Sequence, residues 1–391
     1  MVTYFDNTMT GAPAMSGTAG AMLGVLDACL VTGFGLQAAN TLVVAAGVAT
    51  VALPGVHGLK VDAYVRIAGA TPAGLNGDWP VTGATSQGFT FATTVGAGSA
   101  TGSITASHAP LGWAKEFTGT NKAAYRSADV TGTRMRLRVD DTAAQSCRVV
   151  GYESMTDVDT GTNAFPTDVQ QAGGLYWRKS SSADATARPW IIVGDSRSFY
   201  LYCANSSTYT DHGYGHSFGD YNSLKAGDPY ACVLTGHTGV SDYYGSAISD
   251  FGKATRYEVV GAYLPRSYTG IGTAQLFYAH SGFNSTHSTQ SGCENYCTND
   301  ITYPNGPDNG LITSKHCIFS NASLRGFYPG LYHTPQPCQS AFDSAAIING
   351  SGAHTGRKLM ALRTGADLNL PKNNLNTGAG VIFIDITGPW R

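Results

Sequence analysis

Residues 190–203 read WIIVGDSRSFYLYC, and this stretch separates two classes of fold. A nucleophilic serine in an α/β hydrolase also follows a strand, but a helix follows the serine and a histidine base lies elsewhere in the chain. Here the residues after Ser196 are aromatic and apolar, which is typical of a second strand. The pattern Asp-x-x-His, which often supplies the base, does not occur in the chain. We therefore predict a β-hairpin with GDSRS as its turn, and no catalytic role for Ser196.

Short apolar and β-branched runs continue on both sides of this hairpin, separated by turn residues. The predicted strands are 122–127, 134–140, 146–152, 174–179, 189–194, 198–204, 229–237, 256–263, 274–280, 312–319, 357–363 and 379–387. Long Gly-, Ser-, Asn- and Tyr-rich loops are predicted at 205–228, 238–255, 281–311 and 364–378. The fold class is therefore mainly β, a large β-sandwich-like domain with long loops.

Residues 41–108 have a different sequence pattern from the rest of the chain. Runs such as AYVRIAG (63–69) and GFTFATTV (88–95) recur about every ten residues between Gly, Pro and Asn. This segment is predicted to be a small, Ig-like β-sandwich module inserted into a main domain formed by residues 1–40 together with 109–391.

One helix is predicted near the start of the chain. Apolar residues recur at helical spacing from Met22 to Leu30, with Ser16 or Thr18 as the N-cap and Gly33 as the stop. The expected helix has about four turns and packs one face on the core.

Composition excludes several classes of function. Only 13% of residues are charged and the net charge is −2, which offers no electrostatic basis for binding nucleic acid. No apolar stretch is long enough for a membrane span, and Asp6 with no basic residues before it argues against a secretory signal. Cofactor motifs such as a Walker loop are missing, so no cofactor and no enzymatic activity are predicted. A surface so poor in charge is typical of an extracellular or particle-borne β protein, or of a subunit much of whose surface is covered by its neighbours.

Aromatic residues in two of the loops form a candidate contact surface, because tyrosine provides a large amphipathic area at low entropic cost. His212 and His216 are four residues apart, but the glycines between them argue against a zinc-binding helix. The predicted contact residues are Tyr209, His212, Tyr214, His216, Tyr221, Tyr243 and Tyr244.

Two weaker patterns are candidates for metal sites. Asp157, Asp159 and Asp168 match positions 1, 3 and 12 of a calcium loop, although the glycine is misplaced and no helices flank it. Four of the eight cysteines, Cys293, Cys297, Cys317 and Cys338, lie close together in sequence, with His333 among them. Zinc, a disulfide and buried thiols are all open for these cysteines.

Several stretches together resemble a group of virion proteins encoded by tailed bacteriophages, especially Mu-like and related temperate phages. The similar stretches are GAPAMSGTAGAMLGVLDACLVTGFG (11–35), VRIAGATPAGLNGDWPVT (65–82), GYESMTDVDTGTNAFPT (151–167), ARPWIIVGDSRSFYL (187–201), RGFYPGLYHTP (325–335) and IDITGPWR (384–391). The resemblance implies a structural protein of the particle, made in the host cytoplasm, in the tail tip or baseplate.

The partners that this resemblance implies are other virion proteins and further copies of the chain in a symmetric ring. Two alternatives stay open, a virion protein that binds a host receptor or glycan, and a capsid decoration protein.

Overall fold

A computed structural model describes residues 1–204, 207, 213–239, 260–281, 302–321, 323–336, 338, 340–364 and 380–391. Within these residues the fold is mainly β, with one short α-helix and several sheets, which confirms the predicted fold class. No helix in the described ranges is long and apolar enough to cross a membrane.

The chain begins with strand β1 (Val2–Asp6), then helix α1 (Ala21–Leu26), which continues as a π-helical segment (Asp27–Thr32). Gly33 ends the helix as predicted, with a φ of 73° that favours glycine.

The predicted helix cap is wrong. Helix α1 begins after Gly20, and no side chain close in sequence caps it. Instead, Asp141 Oδ2 accepts hydrogen bonds from the backbone N–H groups of Met22 (2.8 Å) and Leu23 (3.3 Å). A carboxylate distant in sequence thus satisfies the free donors of the first turn.

The next strands form two facing sheets. They are β2 (Phe34–Ala38), β3 (Thr41–Ala45), β4 (Val48–Ala52), β5 (Tyr64–Ala68), β6 (Gly77–Pro80), β7 (Gly83–Ala84), β8 (Gly88–Ala92), β9 (Gly98–Ser99) and β10 (Thr105–His108). One sheet has the order β2-β10-β5-β6 and the other β7-β8-β4-β3-β9. A separate apolar cluster, including Val51, Ile67 and Phe91, lies between them. Strand pairing in this segment begins at Phe34, earlier than the predicted position 41.

The first strand of the chain joins strands from its middle in a large antiparallel sheet. The strands of this middle region are β11 (Trp113–Gly119), β12 (Lys122–Ser127), β13 (Arg136–Asp140), β14 (Ser146–Met155), β15 (Gly161–Phe165), β16 (Leu175–Arg178), β17 (Trp190–Asp195), β18 (Ser198–Ala204), β19 (Gly213–Asp220), β20 (Asn222–Ser223), β21 (Cys232–His237), β22 (Val260–Leu264) and β23 (Gln275–Leu276). The order is β1-β17-β18-β19-β21-β16-β14-β13-β12-β11, while β20 belongs to another sheet.

That further sheet has the order β24-β25-β26-β29-β28-β27, with β20 paired to β26. Its remaining strands are β24 (Tyr278–Ser281), β25 (Ser314–Ser320), β26 (Ser323–His333), β27 (Ile347–Asn349), β28 (Lys358–Thr364) and β29 (Gly380–Asp385). Ile382 and Ile384 of this sheet lie in the same buried cluster as Trp177 and Leu201 of the large sheet. The two sheets therefore share one core, and β20 brings the loop after β19 to the smaller sheet.

Candidate functional site

The hairpin predicted around the Gly-Asp-Ser triplet is confirmed. Strands β17 and β18 pair from Trp190 opposite Cys203 to Gly194 opposite Phe199, and every residue of both strands is buried. A Cβ atom on Gly194 would lie 2.8 Å from Phe199 Cβ and 2.9 Å from the Ser198 carbonyl oxygen, so the close approach of the strands requires glycine there.

Asp195 builds the turn itself. Its Oδ1 accepts hydrogen bonds from the backbone N–H groups of Arg197 and Ser198, each at 2.8 Å. An aspartate that bonds its own backbone two residues on is a standard way to stabilise a tight turn. Its other oxygen accepts a hydrogen bond from the Arg391 guanidinium.

Ser196 is bonded to a carboxylate. Its hydroxyl donates to Asp129 Oδ2 at 3.0 Å, and its carbonyl accepts from the Ser127 hydroxyl. The hydroxyl and backbone N–H of Thr131, together with Ser196, hold the pKa of Asp129 below its ordinary value. A serine nucleophile needs a general base such as an imidazole, and a carboxylate with a lowered pKa is a weak base, so this geometry does not activate Ser196.

We expect Asp195→Ala to lower the free energy of unfolding by about 1–3 kcal/mol, because two turn N–H groups and Arg391 lose their acceptor. Ser196→Ala should cost less than about 1 kcal/mol, since it removes one hydrogen bond at a partly exposed position. Urea unfolding of both variants measures the difference. A larger loss for Ser196→Ala than for Asp195→Ala would contradict the assignment of the turn to Asp195.

A second ionic group lies beside the turn. Arg197 contacts Asp220 Oδ2 through Nε at 2.8 Å, and the backbone N–H of Thr133 donates to the same oxygen at 3.1 Å. The guanidinium of Arg391 also bonds the Ser198 hydroxyl at 2.8 Å and the carbonyl of Asp220. Residues far apart in sequence thus converge on one turn of the sheet.

A cleft of about 490 Å³, which we call the turn cleft, opens between these groups and the loop after β20. Its lining includes the cations Arg197, Lys225 and Arg391, and the hydroxyls of Thr131 and Thr133. The volume lies within the range of small-ligand sites, roughly 300–1,000 Å³. The turn cleft is therefore large enough to hold a small molecule.

Asp228, which lines the turn cleft, belongs to a buried ion pair. The side chain of Asp228 is fully buried and lies 3.3 Å from the Arg325 guanidinium, which is itself 5% exposed. Asp228 also accepts from the Ser223 hydroxyl and from the backbone N–H of Tyr230, both at 2.9 Å. This carboxylate is therefore satisfied within the protein.

Lys225 stands apart from these pairs. It is exposed, and its Nζ donates to the Tyr268 carbonyl at 3.0 Å and lies 5.0 Å from the centre of the Tyr268 ring. Within the described ranges, no carboxylate lies at ion-pair distance from this ammonium group.

The predicted contact surface is wrong where the structure describes it. Residues 213–220 form strand β19 instead of a loop, and each of them is buried. Tyr214 and Tyr221 are 3% exposed and His216 is inaccessible, so these side chains fill the core. The predicted contact residues Tyr209, His212, Tyr243 and Tyr244 lie outside the described residues.

His216 instead belongs to a buried aromatic group. Its ring stacks on Trp177 with 5.4 Å between ring centres and meets His237 edge-on at 5.5 Å. The Nε2 atom of His216 accepts from the backbone N–H of Arg178, whereas neither ring nitrogen of His237 has a hydrogen-bond partner among the described residues. Burial lowers the pKa of His237 to about 3 and that of His216 well below its ordinary value.

The structure does not assemble the candidate calcium loop. Asp159 is paired with Arg138 (2.6 Å) and Lys122 (2.9 Å), Asp157 accepts from the backbone of Asp159, and Asp168 accepts from the backbone of Gly173. In the part of the chain that the structure describes, no group of three or more His, Cys, Asp or Glu side chains is arranged to hold a metal ion.

The cysteine cluster is only partly described. Cys317 lies on β25 and is partly exposed, Cys338 is fully buried, and Cys293 and Cys297 lie outside the described residues. Elsewhere, free thiols pack in the core, and burial raises the pKa of Cys203 to about 12. Such a thiol is unreactive near neutral pH.

The sequence pattern predicted few of the residues that line the turn cleft: Tyr221 was among the predicted contact residues, and Arg197 lies beside the Gly-Asp-Ser triplet. Lys225, Asp228 and Arg391 carry no local motif, and they come together only because β20 and the last residues of the chain meet at the hairpin turn. A scan against protein-family models and a search of curated proteins found no match to this chain.

Proposed function

We propose that the protein is a structural subunit of a tailed-bacteriophage particle, in the tail tip or baseplate. It assembles there with copies of itself and with other tail proteins. The sequence resemblance to virion proteins supports the proposal, and the mainly β architecture is compatible with it. The structural observation that most supports the proposal is an uncharged outer face of the small sandwich formed by β2–β10.

The outward face of strands β3, β4 and β8 has no charged side chain. The register places Val43 opposite Thr50 and Thr50 opposite Thr90, and the neighbouring outward positions are occupied in the same way by small neutral residues. These neighbours are Thr41, Ala45, Val48, Ala52, Gly88 and Ala92. Val43 and Val48 are each 40% exposed. This surface is called the neutral face.

The charged residues of the same segment are all paired. Between positions 34 and 108 they are Lys60, Asp62, Arg66 and Asp78. Arg66 pairs with Asp78 at 2.7 Å, while Lys60 pairs with Asp6 and Asp62 pairs with Lys358. The neutral face thus lacks the charges that keep an ordinary surface hydrated.

Depletion of charge is what distinguishes the centre of a protein interface from other surface. An exposed sheet face of Val, Thr and Ala can be covered by another subunit at little cost, because no charge must be desolvated. The neutral face therefore supports assembly with neighbouring proteins better than it supports a role as an isolated chain.

Antibody labelling of purified particles tests the place of the protein. We expect electron microscopy to show the label at the end of the tail. Label on the head surface would favour a decoration protein instead, and particles without label would overturn the proposal.

Substitution Thr50→Lys tests the role of the neutral face. Placing an unpaired ammonium group at an interface costs about 2–5 kcal/mol, so incorporation into particles should fall at least about tenfold. Particles grown without the native gene and complemented with the variant allow the bound protein to be quantified by immunoblot.

The matched control is Thr94→Lys, because Thr94 is also exposed in the same segment but lies beyond β8. Both variants should unfold at the same temperature as the parent protein, since neither position is buried. Equal incorporation of the two variants would argue against the neutral face as an assembly surface.

A further inference from the structure

The turn cleft has the features of a binding site that the proposed subunit role does not use. It is a concave space whose polar groups come from four separate parts of the chain, near residues 131–133, 197, 222–229 and 391. Ligand sites in proteins combine such a concavity with a few convergent polar groups.

The carboxylates around the turn cleft are already satisfied by the protein. Asp129, Asp195, Asp220 and Asp228 each accept at least three hydrogen bonds from protein donors. None of them needs a bound cation, and the guanidinium groups of Arg197 and Arg391 are held by these acids. The guanidinium groups of Arg197 and Arg391 are thus paired within the protein.

Among the cations that line the turn cleft, Lys225 is the one without a carboxylate at ion-pair distance within the described ranges. Its ammonium group has a backbone carbonyl as its hydrogen-bond acceptor, and a carbonyl does not neutralise the charge. An ammonium group has three donors, so Nζ can still bond an anionic oxygen of a ligand. Lys225 therefore selects for a ligand with a negative charge.

The hydroxyl groups of the lining specify a second property of the ligand. Thr131, Thr133 and Ser223 use their O–H groups to donate to Asp129, Asp220 and Asp228. Because the proton of each hydroxyl points at a carboxylate, the oxygen keeps lone pairs for other donors, and on Ser223 one of them accepts the backbone N–H of Lys225 at 3.2 Å. Three acceptors along the lining match a ligand that carries several hydroxyl groups.

We propose that the turn cleft binds a carboxylated sugar, with the carboxylate on Lys225 and the sugar hydroxyls donating to Thr131, Thr133 and Ser223. A single negative charge suits Lys225, the lining cation that has no carboxylate partner within the described ranges. The volume of about 490 Å³ accommodates one or two sugar rings. This binding is independent of where the chain lies in a particle.

Calorimetric titration of the full chain with glucuronate and with glucose tests the proposal. Glucose is the neutral probe of the same size, so we expect glucuronate to bind at least about tenfold more tightly. Acetate should bind more weakly than glucuronate, because it has the charge without the hydroxyl groups.

Two variants test separately whether sugar binding needs the charge of Lys225 and the free volume of the turn cleft. Lys225→Met keeps the aliphatic stem and should weaken glucuronate binding at least about tenfold, with no effect on glucose. Ala226→Trp places a ring at an exposed position in the lining and should abolish binding of both sugars.

Lys315→Met is the matched control, since Lys315 is also exposed and lies 5.4 Å from the centre of the Phe327 ring, outside the cleft. It should bind glucuronate like the parent protein. Equal affinity for glucose and glucuronate, equal effects of Lys225→Met and Lys315→Met, or no binding at about 10 mM sugar would overturn the proposal. Tighter binding of inorganic phosphate than of glucuronate would also overturn it in favour of a phosphate site.

Discussion

Replacing Asp141 with alanine should lower the free energy of unfolding by about 3–5 kcal/mol, because the change leaves a buried lysine without its counter-charge. Asp141 and Lys179 form an ion pair whose side chains are both fully buried. Lys179 Nζ also donates to the Thr18 carbonyl at 2.6 Å, and Asp141 caps helix α1. The pair thus joins the helix to the large sheet, and its loss affects both.

Burial raises the pKa of Asp141 even though Lys179 and the helix N–H groups act against that rise. The desolvation of the carboxylate is therefore substantial, and only the complete set of partners makes the arrangement stable. Urea unfolding at neutral pH measures the effect. The double substitution of Asp141→Leu with Lys179→Met should be more stable than either single variant, because it removes both charges together.

Asp78→Ala is the control for an ion pair that stays in contact with solvent. Asp78 lies 2.7 Å from Arg66, and their side chains are 27% and 41% exposed, so the loss should be about 0–1 kcal/mol. A cost below about 1 kcal/mol for Asp141→Ala would contradict the structural role of the buried pair.

Acidification to pH 5 should destabilise the protein by several kcal/mol, because buried imidazoles cannot accept protons without leaving the core. Burial lowers the pKa of His237 to about 3 and of His108 to about 4, and lowers that of His216 well below its ordinary value. In the unfolded chain each titrates near 6.5. Below that pH the unfolded state binds more protons than the folded state, so stability falls as the pH falls.

The loss of stability at pH 5 depends little on the exact pKa values of His237 and His108 in the folded state, since both values lie below 5. Each of these imidazoles then contributes a loss of about 2 kcal/mol relative to neutral pH, and His216 adds a further loss. Many domains have a total stability of only about 5–15 kcal/mol. Urea unfolding between pH 7.5 and about 4.5 should therefore show a steep loss of stability that begins near pH 6.5.

His237→Phe isolates one of these groups. Within the described part of the chain neither ring nitrogen of His237 has a hydrogen-bond partner, so phenylalanine should be tolerated at pH 7 and should be more stable than the parent at pH 5 by about 2 kcal/mol. His354→Phe is the control, because the His354 ring is only half-buried and its replacement should leave most of the pH dependence in place. An unchanged pH dependence in His237→Phe would contradict the assignment.

The strand predictions succeeded where the pattern was local. Alternating or continuous apolar runs identified β12, β14, β17, β18 and β28 close to their observed bounds. The alternation in RMRLRVDD (134–141) likewise matches β13, whose residues alternate between partly exposed and buried. Such patterns are readable because the side-chain period of a strand is two residues.

Strand β19 shows why another prediction failed. Its sequence, GYGHSFGD, is rich in glycine and polar residues and has the composition of a loop. The structure buries all of it between β18 and β21, where the backbone hydrogen bonds of a central strand outweigh weak intrinsic propensity. His216 and Tyr214 consequently pack in the core, and the exposed contact surface predicted for them is not found there.

Local sequence is sufficient to predict the mainly β class, the hairpin at Gly-Asp-Ser and the end of the helix at Gly33, because each depends on neighbouring residues. The capping of helix α1 by Asp141, the burial of His216 and the turn cleft that joins Lys225 to Arg391 arise only in the folded chain. These features depend on which strands become neighbours, and that choice results from burying one shared core. No short stretch of sequence determines which strands pair, since the free energy of that pairing is distributed over contacts between residues far apart in the chain.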